Sequence, residues 1–213
     1  QQATSAMHFI ELYGQAVAEL VNRALDDMTP VESTPLDVAS ERVALRLDNR
    51  GYRQARAVNV LTRPAFEATD DPLQFGEALA PTELDGDQVL ASEVACLRLG
   101  ELHIAAIPGE LYPELVYGHL PPADPAADFP GAPPEPAIAE WLPEERLLVF
   151  GLANDEVGYI VPQRQWDTEA PFAFGRERPQ YGEVNSLGPH TARSIMESLA
   201  RCADKLRRQS QGE

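Results

Sequence analysis

The stretch "LHIAAIPGELYPELVYG", residues 102–118, runs an apolar segment into Pro108-Gly109 and then presents the carboxylate of Glu110. The end of a strand is where α/β folds put their chemistry, because side chains there face a crevice instead of the core. The same glutamate read as the first turn of a following helix needs no function, since it complements the helix dipole. A second acidic group, Asp155-Glu156 in "GLANDEVGYIVP", lies in a turn. Adjacent acids there are ordinarily solvated, although a cation site is conceivable, and Glu110 with Asp155 would make a glycosidase-type pair only if the two carboxylates converged within about 10 Å. The four histidines, His8, His103, His119 and His190, are scattered, with no pair at a metal-binding helical spacing. His103 reads as a half-buried strand residue, and His8 and His119 as helix-surface residues. No G-x-S-x-G, H-E-x-x-H, P-loop or strand-borne G-x-G-x-x-G occurs.

The elements that must position these groups are legible from periodicity. Apolar residues Ile10, Tyr13, Val17, Leu20, Val21, Ala24 and Met28 recur at helical spacing and predict a helix over 5–28, stopped by Thr29-Pro30. Alternation in "ERVALRLDNRGYRQARAVNVLTR" predicts two extended segments joined around Asp48-Asn49-Arg50-Gly51. Residues 64–87 are irregular and acidic, with room for a short helix. "QVLASEVACLRLGELHIAAIPGE" is the clearest strand pair, turning at Gly100, its return over 102–107 apolar enough for burial on both faces. A helix is expected over about 112–120, a buried strand over 147–150, and a terminal helix after Gly188-Pro189 whose apolar face carries Ile195, Met196, Leu199, Cys202, Ala203 and Leu206. The proline-rich residues 121–143 read as a long surface loop or insertion within one domain spanning 1–213.

Composition narrows the function classes. With 34 acidic against 17 basic residues the formal charge is −17, which repels polyphosphate backbones and argues against nucleic acid as a partner. The two cysteines, Cys96 and Cys202, lie far apart among apolar neighbours, so buried thiols are expected in place of a zinc finger or redox pair. No apolar run approaches the length of a bilayer span, and no signal-peptide pattern opens the chain.

Three segments in order, "AAIPGE", "GLANDEVGYIVP" and "YGEVNSLGPHT" leading into a helix, resemble the neutral/alkaline (non-lysosomal) ceramidase family and its bacterial ceramidase-like relatives, over residues 93–205. The resemblance implies a zinc-dependent amidohydrolase that cleaves an N-acyl bond, in ceramide or a related amide. In that family two upstream histidines, the glutamate of the P-G-E motif and the tyrosine of the G-L-x-N…Y motif hold Zn2+. Carried onto this chain, the metal ligands are Glu110 and Tyr159, and the catalytic tyrosine whose hydroxyl hydrogen-bonds the scissile carbonyl is Tyr181. Judged without the resemblance, Tyr159 would more often pack or cap a core edge, and Tyr181 serves equally as a pocket wall.

The chain departs from the family in two places. Its "VPQRQWDTEAPFAFGRERPQ" is longer and differently composed than the family's tyrosine-rich stretch, which leaves the substrate open. The upstream segment with the histidines and catalytic serine region has no match. The expectation is therefore an α/β fold, mixed β-sheet layers flanked by helices, forming an incomplete domain completed by a missing N-terminal half or a second polypeptide. Such an isolated half would show an exposed apolar face or open sheet edge. The family's location favours a secreted or periplasmic compartment, which the sequence itself leaves open. The alternative from another class is a non-catalytic acidic α/β module mediating protein contacts.

Overall fold

The computed structural model describes residues 6–71, 73–119 and 121–211. The chain forms two compact units, residues 1–32 and 33–213. The first contains one helix, α1 (Ala6–Asp26), whose apolar residues follow the predicted spacing. In the second, the elements in order are β1 (Leu36–Arg46), α2 (Arg50–Ala57), β2 (Ala65–Glu67), β3 (Ala78–Leu79), β4 (Gln88–Leu99), β5 (Leu102–Ala106), β6 (Glu110–Leu111), α3 (Glu114–Tyr117), β7 (Leu147–Phe150), β8 (Tyr159–Ile160), α4 (Tyr181–Val184) and α5 (Thr191–Gln211).

The long strand β4 organises the main sheet. Strand β1 pairs with it antiparallel from Leu36↔Leu99 to Arg46↔Val89, while β2 and β5 pair with its opposite ends. Beyond β5 lies β7, the one parallel neighbour, so the six-stranded sheet is mixed. Helix α5 packs on β1 and β4, where Ile195, Met196, Leu199, Cys202 and Leu206 join Val43, Leu45, Val94 and Cys96 in the core. This is the α/β architecture of mixed strands and flanking helices expected from the sequence. Both cysteines are free and buried in that core, as anticipated.

Local readings fared unevenly. The second extended segment expected after Asn49 is helix α2: the Asn49 side chain accepts the Tyr52 N–H, satisfying one of the orphan donors of a helix start. Val58 and Val60, whose alternation suggested a strand, lie beyond its end and are exposed. Residues 64–87 contain the short strands β2 and β3 and no helix among the described residues. The helix expected over 112–120 is a single turn, α3, ended by Gly118 in the left-handed region (φ 76°); Leu120 falls outside the described residues. His119 is accordingly an exposed residue after a helix, not a helix-surface one. Strand β7 is an edge strand, paired on one side with β5 instead of buried, with Leu148 and Phe150 exposed at 41% and 50%.

The proline-rich segment forms no strand or α-helix among its described residues, as its composition required. It is nevertheless pinned to the body of the protein. Ala137, Ile138 and Leu142 are buried, and the last two belong to the core cluster.

Candidate functional site

Glu110 is not in the first turn of a helix. It opens the two-residue strand β6, which pairs in parallel with β8 so that Glu110 lies directly opposite Tyr159 and Leu111 opposite Ile160. Residues in register on adjacent strands point to the same face, so the carboxylate and the phenol emerge side by side. The parallel ladder is carried by Glu110 N–H to Gly158 O (3.0 Å) and Tyr112 N–H to Ile160 O (3.3 Å).

Two glycines permit this pairing. A Cβ on Gly109 would lie 2.4 Å from Gly158 O, and one on Gly158 would lie 2.1 Å from Asn185 O. Gly158 also sits at φ +87°, which side-chain-bearing residues rarely adopt. The backbones at Gly109, Gly158 and Asn185 are therefore in contact, and Tyr159 N–H donates to Asn185 O at 2.9 Å. The glycines of "PGE" and "VGY" have a steric cause: only there can three chain segments close to within one atom.

The turn that delivers Tyr159 is anchored at Asp155. Its carboxylate receives both Nη atoms of Arg63 and the Ser92 hydroxyl, the latter at 2.8 Å. Burial alone would raise the Asp155 pKa, but these hydrogen bonds and the Arg63 charge outweigh it and hold the carboxyl below its usual range. Asp155 is thus tethered by Arg63 and Ser92. Its neighbour Glu156 accepts Gly158 N–H at 2.7 Å. No group of three or more His, Cys, Asp or Glu suited to a metal forms among the described residues.

Tyr181 begins α4. Its ring packs edge-on to Tyr159 with centroids 5.6 Å apart, and Tyr112 meets Tyr159 edge-on from another side at 6.4 Å. At 72% exposure, Tyr181 stands at the rim of the site. The segment behind it is fixed by Asn49, whose side chain donates to Val184 O and Ser186 O, and by Asn185, whose amide donates to Tyr181 O. Glu183, two residues on, is sealed with both carboxylate oxygens unbonded; burial pushes its pKa up, with Arg176 3.6 Å away as partial compensation.

Glu110, Tyr159 and Tyr181 share a cleft of about 360 Å³ walled by Leu47, Leu61, Leu90, Val157 and Leu187. An apolar concavity with a few convergent polar groups is the usual form of a small-molecule site. Hydrogen-bonding interaction with Glu110, then burial and the Glu110 charge, with smaller contributions from Tyr181 and Glu156, push the Tyr159 phenol above the ordinary tyrosine value. The phenol and the carboxylate thus present two oxygens to the same point of the cleft.

The cleft also contains residues that the sequence did not flag: Tyr52, Arg56 and Arg63. Tyr52 and Arg56 are four apart on α2, hence on one helical face. The signal in the sequence is Asn49, an N-cap type three residues before Tyr52, which the strand-like alternation of Val58 and Val60 obscures.

No protein-family model matches the chain, and a comparison with curated proteins returns no match.

Proposed function

We propose that this chain carries part of the active site of a zinc-dependent amidohydrolase that cleaves an N-acyl amide, a ceramide-like lipid or a related compound. The observation that supports it is the register of β6 and β8, which sets Glu110 beside Tyr159, the two residues the ceramidase-like motifs nominate. A carboxylate oxygen and a phenol oxygen on adjacent rigid strands suit a hard cation, and a carboxylate meets zinc at about 2.0–2.2 Å. Two ligands are fewer than the three or four protein ligands of ordinary zinc sites. The remaining ligands are assigned to a further segment of the protein or a second polypeptide, as the resemblance implies.

When bound, zinc supplies a water of pKa about 7 and polarises the substrate carbonyl. Glu110 offsets positive charge at the site and fixes the position of the reacting centre. Tyr181 donates its hydroxyl hydrogen bond to the scissile carbonyl oxygen, stabilising negative charge as it develops there. The apolar walls receive the hydrocarbon part of the substrate and exclude water from the amide.

The test uses the protein from its native source together with any polypeptide that travels with it. Zinc content is measured by plasma mass spectrometry and fatty-acid release from an N-acylated lipid by chromatography. Stoichiometric zinc and amide hydrolysis, both lost in Glu110→Gln and Tyr159→Phe, support the reading; zinc that is absent, or retained in both variants, overturns it. The outer edge of β7, with Leu148 and Phe150 exposed, favours a second reading, an acidic module that docks onto another protein.

A further inference from the structure

Helix α2 concentrates cations that have no carboxylate partner among the described residues: Arg53 donates to Leu47 O, Leu84 O and Gly86 O, all neutral acceptors. Arg50, Arg53 and Arg56 recur every third residue, and none lies within 4.0 Å of a described carboxylate. This is unexpected in a chain of formal charge −17, where acids outnumber bases two to one. Arg50 is exposed and Arg53 partly so, and solvent screens both charges. Arg56 differs: it is 3% exposed and lines the cleft.

The bonds Arg56 does make are to neutral acceptors. Its Nε donates to Arg63 O at 3.0 Å and its Nη1 to Gln88 Oε1 at 3.2 Å. The other terminal nitrogen, Nη2, makes no hydrogen bond to the described residues, yet it is not among the atoms sealed from solvent. The second arginine of the cleft, Arg63, is neutralised by Asp155. Arg56 is therefore the one cation of the cleft with no carboxylate within 4.0 Å among the described residues. The negative end of a two-turn helix offsets only part of its charge. Buried charges are ordinarily paired, and a guanidinium held by two of its three nitrogens presents the third as a fixed donor.

Its place in the cleft is defined by Tyr52, one turn earlier on α2. A Cβ on Gly158 would lie 3.4 Å from the Tyr52 hydroxyl, so that face of the helix stands against the turn that carries Tyr159. Glu110 and Glu156 line the same cleft, and neither forms an ion pair with Arg56 within 4.0 Å. The distant acidic surface is screened beyond about 8 Å at physiological salt.

We infer that Arg56 is an anchor for a carboxylate on the substrate, which makes the preferred substrate an acidic N-acyl compound, such as an N-acylated amino acid, over one with a neutral head group. This rests on the amidohydrolase reading for the position of the amide. Recognition is charge-assisted: Nη2 donates to a carboxylate oxygen while Nε and Nη1 stay fixed by Arg63 O and Gln88.

The experiment measures equilibrium binding of N-dodecanoylglycine and N-dodecanoylethanolamine to the chain by calorimetry in EDTA, so no turnover or metal enters the readout. The two share the acyl chain and the amide and differ in carboxylate against hydroxyl. The expected result is at least tenfold tighter binding of the glycine conjugate, a preference lost in Arg56→Gln and kept in part by Arg56→Lys, with circular dichroism reporting folding. Equal affinity, no binding of either compound, or an undiminished preference in Arg56→Gln overturns the inference. Should Arg56→Gln fail to fold, the wild-type comparison decides by itself. Failure of the amidase reading would appear elsewhere, as missing zinc and fatty-acid release, with the head-group preference still measurable.

Discussion

Replacing Gly158 by alanine tests whether three backbone segments really meet behind the Glu110–Tyr159 pair. Two costs are readable from the geometry. Alanine at φ +87° is strained by roughly 1–2 kcal/mol. Its Cβ would also stand 2.1 Å from Asn185 O, so the segments must separate by about 1 Å to restore an ordinary contact. That separation stretches the 2.9 Å hydrogen bond from Tyr159 N–H to Asn185 O, and a well-packed site resists such insertion by about 1–3 kcal/mol. The expected loss is about 2–5 kcal/mol. Gly86 supplies the control: its φ is +77°, but an added Cβ meets nothing within 4 Å, so Gly86→Ala should lose only the strain, roughly 1–2 kcal/mol. Urea unfolding followed by the fluorescence of Trp141 and Trp166 reads both variants. If Gly158→Ala falls within about 0.5 kcal/mol of Gly86→Ala, the claimed close approach is wrong, and with it the reason for glycine in this motif.

Two further outcomes are expected. Asp155→Asn strips Arg63 of its counter-ion and should destabilise by about 1–3 kcal/mol at pH 7. Because the folded Asp155 pKa is depressed, its contribution is complete above the unfolded value near about 3.9 and fades as pH falls through the lower folded value. The gap between wild type and Asp155→Asn in urea midpoints should therefore close below about pH 4, and a gap that widens in acid would refute the assignment. Burial pushes the Cys96 thiol up to about 12 and Cys202 up to about 11, so neither should react with a disulfide reagent at pH 8 until the protein unfolds. A thiol titrated at once in native buffer contradicts the core placement of β4 and α5.

How far the sequence could be read depended on the range of the forces involved. The pattern of α5 and the β4–β5 hairpin are local, set by side-chain period and a glycine turn, and both stand in the structure as expected. Helix α2 was misread because Val58 and Val60 imitate a strand, while the decisive signal was one capping hydrogen bond from Asn49. The two-residue strands β6 and β8 have no period to detect. They exist because Gly109 and Gly158 let distant segments touch, which only the folded chain reveals.

By itself the sequence determined an acidic α/β protein and nominated Glu110, Tyr159 and Tyr181, since residue type and order in short motifs need no partner to be read. Tertiary structure decided that the carboxylate and the phenol stand in register, that Asp155 is bound by Arg63 and Ser92, and that Arg56 lines the cleft with no carboxylate within 4.0 Å among the described residues. Those facts depend on contacts between residues dozens of positions apart, and such contacts are fixed by packing and backbone closure, not by any local pattern along the chain.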